Sequence, residues 1–89
     1  MNELNFDKIV EKLNRDRNFL YDFTNGDQLY IGFCTIGRVN SGETEDSIEI
    51  ALGAAESDNI RYAAMHEYYD ASEIKEAVAR FIERIQMNL

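Results

Sequence analysis

Residues 18–36, NFLYDFTNGDQLYIGFCTI, decide the fold of this chain. On both sides of Thr24-Asn25-Gly26, large apolar side chains occupy the odd-numbered positions. A period of two around a glycine-containing turn predicts a β-hairpin. Opposed residues of an antiparallel pair share a face, so odd positions must oppose odd positions across a loop of odd length. We therefore predict a three-residue loop with Gly26 left-handed in a type I turn with a G1 bulge, because a two-residue Asn25-Gly26 turn would split the apolar face.

An amphipathic helix is predicted before the hairpin, over residues 5–16. Its apolar positions follow one stripe of a 3.6-residue period: Phe6, Ile9, Val10 and Leu13. Asn5 or Asn2 is a suitable N-cap. On the polar face Glu11 and Arg15 are one turn apart, a spacing at which opposite charges pair.

Two further strands are predicted after the hairpin. A polar loop over residues 37–46 leads to a strand over residues 47–53, whose inward positions are Ile48, Ile50 and Leu52. Residues 55–59 form the next turn, and the fourth strand covers residues 60–69 with one face carrying Ile60, Tyr62 and Ala64. The alternation becomes irregular after Ala64, which predicts a β-bulge there.

A second helix is predicted over residues 71–88. Asp70 followed three residues later by Glu73 has the spacing of a capping box. A helical stripe of apolar residues follows: Ile74, Val78, Phe81, Ile82, Ile85 and Leu89. Glu76 and Arg80 are spaced to pair on the outer face of this helix.

These elements predict an α+β fold with the order α-β-β-β-β-α. Amphipathic helices at both ends of an antiparallel sheet of three or four strands pack on it as a two-layer sandwich. The 89 residues correspond to a single domain, 1–89.

The negative charge is concentrated in the second half of the chain. The formal net charge is −8, and residues 39–74 hold nine acids and one base, Arg61, whereas the two flanks cancel. A negative surface repels nucleic acid and anionic membranes, so we expect neither as a direct partner. A lone cysteine, the absence of a signal-peptide pattern and the absence of a long apolar run lead us to expect a soluble cytoplasmic protein.

Residues capable of chemistry are few. The chain has one histidine, His66, and one cysteine, Cys34, which form the only possible nucleophile–base pair. One histidine and one cysteine do not make a zinc ligand set, and the acids of residues 43–49 lack the calcium-loop pattern. We therefore expect no catalytic residues, no metal, no cofactor and no enzyme activity.

Two features remain as candidates for function, the acids and the tyrosines. Alternate residues of a strand are about 6.6 Å apart, so Glu43, Glu45 and Glu49 are expected to form a row of carboxylates on the solvent face. Tyrosine among charged residues is typical of binding hot spots. The predicted partner-binding residues are Glu43, Glu45, Asp46, Glu49, Glu56, Asp58, Glu67 and Tyr68.

These observations favour a non-enzymatic, acidic protein-binding module that recognises a basic protein surface. In its most concrete form it is an inhibitor, a DNA mimic that occupies the nucleic-acid-binding groove of a nuclease, CRISPR effector, glycosylase or DNA-binding protein. In size, acidity and α+β make-up the chain resembles small phage inhibitors of the anti-CRISPR and glycosylase-inhibitor kind. Two alternatives stay open: an immunity protein against a cationic toxin, and a small homo-oligomeric adaptor that dimerises through a sheet edge or the outer sheet face.

Overall fold

The computed structural model describes residues 5–37, 40–54 and 61–87, with side chains described for all of these except 54 and 61–65. The elements are, in order, α1 (Phe6–Asp16), β1 (Asn18–Asp22), β2 (Asp27–Gly37), β3 (Thr44–Ala54), β4 (Arg61–Asp70) and α2 (Ile74–Met87). The four strands form one antiparallel sheet in the order β1-β2-β3-β4. The predicted α+β class and the α-β-β-β-β-α order are confirmed.

The first hairpin has the predicted register. Phe19 opposes Ile31 and Tyr21 opposes Leu29, so the odd positions share a face. The Phe23 N–H donates to the Asp27 carbonyl at 2.8 Å, which leaves a three-residue loop. Gly26 has a φ of 96°, the left-handed conformation that the loop requires.

Helix α1 is capped at its N-terminus by Asn5 and at its C-terminus by Arg17. The Asn5 side chain accepts a hydrogen bond from the Lys8 N–H at 3.0 Å, so Asn5 is the N-cap. Arg17 takes a left-handed conformation at the C-cap, with a φ of 70°, and turns the chain into β1. Arg15 bonds to the neighbouring Asp16 at 3.1 Å, so the predicted partner Glu11 is replaced by a closer carboxylate.

Helix α2 begins at Ile74, three residues later than predicted, because the preceding turn is held by side chains. The Glu73 carboxylate accepts from the Asp70 N–H, which is one half of the capping box. The Asp70 carboxylate instead accepts from the N–H and hydroxyl of Ser72, and these bonds lower its pKa. Arg80 bonds to Glu67 and Glu83, not to the predicted Glu76.

Strand β3 is longer than predicted, because β2 and β3 stay paired into polar sequence. The predicted loop over residues 37–46 is therefore shorter, with Gly37 opposed to Thr44. The β3–β4 register shifts between Leu52 and Gly53, next to the predicted bulge. The predicted turn at 55–59 and Ile60 lie outside the described residues, as do the side chains of Tyr62 and Ala64.

The core lies between one face of the sheet and the two helices. Its buried residues come from α1, β2, β3 and α2: Ile9, Leu13, Leu29, Ile31, Ile48, Ile50, Ala77, Val78, Phe81 and Ile85. Of the predicted helical stripe, Ile74 and Ile82 pack at the edge of this core, and Leu89 lies outside the described residues. The helices cover one face of the sheet, and we refer to the opposite face as the open face.

Candidate functional site

The β2–β3 pair extends beyond the strands on either side of it. β1 opposes β2 no further than Gly32, and β4 opposes β3 no further than Ser47. The pairs Thr35–Asp46, Ile36–Glu45 and Gly37–Thr44 lie beyond both limits. We call residues 35–37 and 40–46 the hairpin arm.

The hairpin arm brings three of the predicted residues together. Glu43, Glu45 and Asp46 are all exposed. Glu45 lies on the open face, whereas Asp46, the next residue, lies on the opposite face. Within the described part of the chain, the carboxylates of Glu43 and Asp46 accept no hydrogen bond. The segment over residues 40–54 contains four acidic residues and no basic residue.

Cross-strand rows define the open face next to the arm. Their members follow from the register: Tyr30–Ala51–His66, then Gly32–Glu49–Tyr68, then Cys34–Ser47–Asp70. The middle strand contributes small residues in the outer two rows, and both Ala51 and Ser47 are buried despite facing away from the helices. Larger side chains from β2 and β4 therefore surround Glu49.

Two side chains of β4, Tyr68 and His66, contact the Glu49 carboxylate on the open face. Glu49 Oε2 lies 3.3 Å from the Tyr68 hydroxyl, which donates to it, and 3.1 Å from His66 Nε2. Its side chain is only 18% exposed. The His66 ring stacks on Tyr68 with 5.9 Å between centroids, and burial together with the Glu49 charge raises the pKa of Tyr68. Glu49 thus orients Tyr68, which remains 52% exposed.

Tyr30 covers Gly32 on the same face. A Cβ added at Gly32 would lie 2.1 Å from the Tyr30 hydroxyl oxygen and 2.5 Å from its Cζ. Only glycine leaves room for the ring to lie against the strand. The need for glycine at position 32 could not be predicted from the sequence, because it depends on the orientation of the Tyr30 side chain.

Glu67, another of the predicted partner-binding residues, lies on the face of the sheet opposite Glu45 and Glu49. Glu67 opposes Ile50, whose side chain is in the core, so Glu67 lies on the helix-covered face. Its two carboxylate oxygens accept from Arg80 of α2 at 2.8 and 2.9 Å, and these bonds lower its pKa. Glu56 and Asp58 lie outside the described residues. The predicted row of carboxylates therefore contains Glu45 and Glu49, since Glu43 precedes the strand.

A pocket of about 250 Å³ lies at the base of the arm. It is lined by Arg17, Phe33, Cys34, Thr35 and Asp46. The Arg17 guanidinium stacks on the Phe33 ring, 3.8 Å from its centroid. Burial and the Glu49 charge raise the pKa of the Cys34 thiol, which disfavours the thiolate. Sequence patterns did not indicate this pocket, because Arg17 and Asp46 are brought together only by the strand pairing.

Searches for other functional elements and for related proteins give no positive result. In segments 5–37, 40–54 and 61–87, no three His, Cys, Asp or Glu residues are grouped so that they could hold a metal ion. None of the helices described is long and apolar enough to cross a membrane. Comparison of the chain with protein-family models, with curated proteins and with solved structures finds no match.

Proposed function

We propose that this protein is a non-enzymatic binding module whose hairpin arm docks on a basic surface of a partner protein. The partner is a nuclease or another nucleic-acid-binding protein, and the arm occupies the groove that otherwise takes phosphates. The observation that carries the proposal is the extension of the arm beyond both neighbouring strands with Glu43, Glu45 and Asp46 exposed on it.

Charge placement supports this function. Acids on a projecting arm approach a partner before the rest of the molecule, and the partner's field attracts them over about one Debye length, roughly 8–10 Å at physiological salt. Such attraction raises the association rate and makes it sensitive to salt. Glu43 and Asp46 have no structural bond through their carboxylates within the described residues, so they are available for this role.

Carboxylate spacing is compatible with a phosphate-binding groove. Glu45 and Glu49 share the open face and are four residues apart on β3, which corresponds to about 13 Å. One DNA strand carries a phosphate every 3.4 Å or so along the axis, so the two carboxylates span about four nucleotides. They match separate cationic sites of a groove rather than a continuous row.

Tyr68 provides an apolar anchor beside these charges. Tyr68 is 52% exposed, its hydroxyl donates to the Glu49 carboxylate, and its ring stacks on the His66 ring. A tyrosine with few accessible conformations loses little entropy on binding and buries a large area, which is the usual composition of a hot spot. We therefore assign partner contacts to Glu43, Glu45, Asp46, Glu49 and Tyr68.

Capture of partners with a matched charge control tests the proposal. The arm variant combines Glu43→Gln, Glu45→Gln and Asp46→Asn, and the control combines Asp7→Asn, Glu11→Gln and Glu76→Gln on exposed helix faces. Both variants remove three charges, so they separate charge from position. Each immobilised protein is incubated with host lysate at low and at high salt, and the captured proteins are identified by mass spectrometry.

The expected result is a nucleic-acid-binding protein that is captured by the wild type and by the control, and lost with the arm variant or at high salt. The purified partner should release a labelled duplex when the wild-type protein is added. Equal loss with both variants, a salt-insensitive partner, or a partner with an acidic surface contradicts the proposal. The possible homodimer stays a prediction, and light scattering of the purified protein tests it.

A further inference from the structure

An open backbone edge runs along β2 within the hairpin arm. β1 opposes β2 up to Gly32, and the Arg17 carbonyl then accepts from the Phe33 N–H at 3.0 Å. At Arg17 the chain turns away into α1 with a φ of 70°. Beyond Phe33, β2 continues to Gly37, and none of the described strands lies beside it on the β1 side.

The backbone groups of two residues point into this open side. In an antiparallel ladder the N–H and C=O of one residue point to the same side, and alternate residues point to opposite sides. The Phe33 N–H and the Asp27 carbonyl both bond toward β1. The same alternation directs the groups of Thr35 and Gly37 toward the space in line with β1, and both residues are exposed.

The pocket at the base of the arm lies at this same edge. Its lining includes Phe33 and Thr35 of β2, together with Arg17, the residue at which β1 is interrupted. It shows free space beside Phe33 and Thr35, where side chains of a strand continuing the line of β1 would lie. Such strand addition is a common mode of peptide recognition, in which main-chain bonds supply affinity and side-chain positions supply specificity.

We infer that this edge binds an extended segment of the partner, antiparallel to β2 and in line with β1, with Lys or Arg opposite Thr35. This inference rests on the proposed function only for the nature of the partner. A residue opposite Thr35 directs its side chain to the same face as Thr35 and its cross-strand neighbour Asp46. Two strand spacings, about 9.6 Å, separate that backbone from Asp46, and a long cationic side chain reaches across the short Thr35.

The position of Asp46 favours a cation opposite Thr35. Two charged residues line the pocket, Arg17 and Asp46, and of these Asp46 lies directly behind Thr35. Arg17 is held on the Phe33 ring and is not bonded to Asp46 in the structure. An acidic side chain opposite Thr35 would point toward the Asp46 carboxylate, whereas the Arg17 guanidinium lies over Phe33, two residues along β2.

The orientation of the edge is tested on the protein alone. Proline is tolerated in a strand only where the lost N–H points to solvent. Thr35→Pro is therefore expected to leave the urea unfolding midpoint nearly unchanged, whereas Ile36→Pro, which removes a bond to β3, should lower it clearly. By hydrogen exchange, the Thr35 and Gly37 amides should exchange fast. Equal destabilisation by the two prolines, or protected Thr35 and Gly37 amides, overturns the inference.

Binding is tested with a defined probe, the peptide acetyl-Thr-Val-Lys-Val-Thr-amide, titrated into labelled wild-type protein and followed by amide chemical shifts. The inference expects shifts at Arg17, Thr35 and Gly37, protection of the last two amides, and loss of both effects in Thr35→Pro. Affinity should fall roughly threefold in Asp46→Asn, and roughly tenfold when the peptide lysine is replaced by glutamate.

The control variant Asp7→Asn should bind the peptide like the wild type. Shifts confined to β4 or to Tyr68, or equal binding of the lysine and glutamate peptides, overturn the inference. These outcomes are independent of the lysate experiment. Peptide binding at the edge without a nucleic-acid-binding partner contradicts the proposed function alone, and the reverse result contradicts the inference alone.

Discussion

Replacing Gly32 with alanine tests how the open face is built. The new Cβ would lie 2.1 Å from the Tyr30 hydroxyl oxygen and 3.0 Å from Cε2, so the ring must leave its place over the strand. A buried aromatic side chain covers about 150–250 Å², and re-exposing roughly a third of this costs about 1.5 kcal/mol at 25 cal/mol per Å². The lower entropy of the unfolded alanine chain offsets about 0.5–1 kcal/mol.

The net expectation for Gly32→Ala is a loss of about 0.5–1 kcal/mol, or roughly 5 °C in Tm for a domain of this size. In a Tyr30→Ala background the clash is absent, so the same substitution should stabilise the protein by about 0.5–1 kcal/mol. The coupling between the two positions is therefore about 1.5 kcal/mol, a size that double-mutant cycles resolve.

Urea unfolding of the four proteins, followed by circular dichroism, measures the cycle. A Tyr30→Phe background serves as the control, because the ring atoms Cζ and Cε2 still meet the new Cβ without the hydroxyl. The destabilisation should persist in that background. If Gly32→Ala has the same effect with and without the Tyr30 ring, the ring does not lie over Gly32 and the proposed packing of the open face is refuted.

Three further predictions concern single residues. Glu67→Gln should lower the free energy of unfolding at pH 7, because the Glu67 carboxylate accepts two hydrogen bonds from Arg80. Arg80 lowers the folded pKa of Glu67, so this stabilisation is present above the unfolded carboxyl pKa of about 4.3 and is lost as pH falls through the lower folded value. In urea titrations the difference from wild type should therefore shrink as the pH falls below about 4, and a pH-independent difference contradicts the prediction. Gly26 has a φ of 96°, so Gly26→Ala should lower the free energy of unfolding by about 1 kcal/mol, measured by thermal unfolding. Gly37→Ala is the control, because its new Cβ also meets no neighbouring atom, and its effect should be close to zero. Equal effects of the two substitutions would exclude backbone strain as the cause. Cys34 should react with iodoacetamide more slowly than free cysteine at pH 8, because burial and the Glu49 charge raise the pKa of its thiol. Glu49→Gln should accelerate the reaction, and the control Glu43→Gln should not. An unchanged rate in Glu49→Gln would show that the Glu49 charge does not act on the thiol.

The two periodicities of the sequence were sufficient for most of the fold. Alternation of odd positions around Gly26 predicted the hairpin register, and the 3.6-residue stripes predicted both helices. The start of β3 was missed because the residues from Thr44 to Asp46 are polar. Thr44 and Asp46 are held in the sheet by the pairing of β3 with β2, and apolar periodicity carries no information about such pairing.

The candidate site could be predicted only in part, for a related reason. Glu43, Glu45 and Asp46 are neighbours in sequence, so their proximity followed from the chain itself. The position of Glu67 depends on how β4 pairs with β3 across the register shift next to Leu52. A charged residue on a strand does not reveal whether it faces solvent or a helix, and Arg80 is thirteen residues away in sequence.

The acidic residues fall into two groups according to whether their carboxylates are hydrogen-bonded within the protein. Glu67 and Asp70 have their carboxylates bonded to Arg80 and Ser72, so changing them alters stability before it alters any surface. Glu43 and Asp46 have no such bond within the described residues, and their mutual repulsion on a two-stranded arm opposes folding slightly. Neutralising these two acids should therefore leave the protein as stable as before or slightly more stable, while weakening attraction to a cationic partner. A variant that gains stability and loses partner capture separates binding from folding, which substitution of Glu67 cannot do.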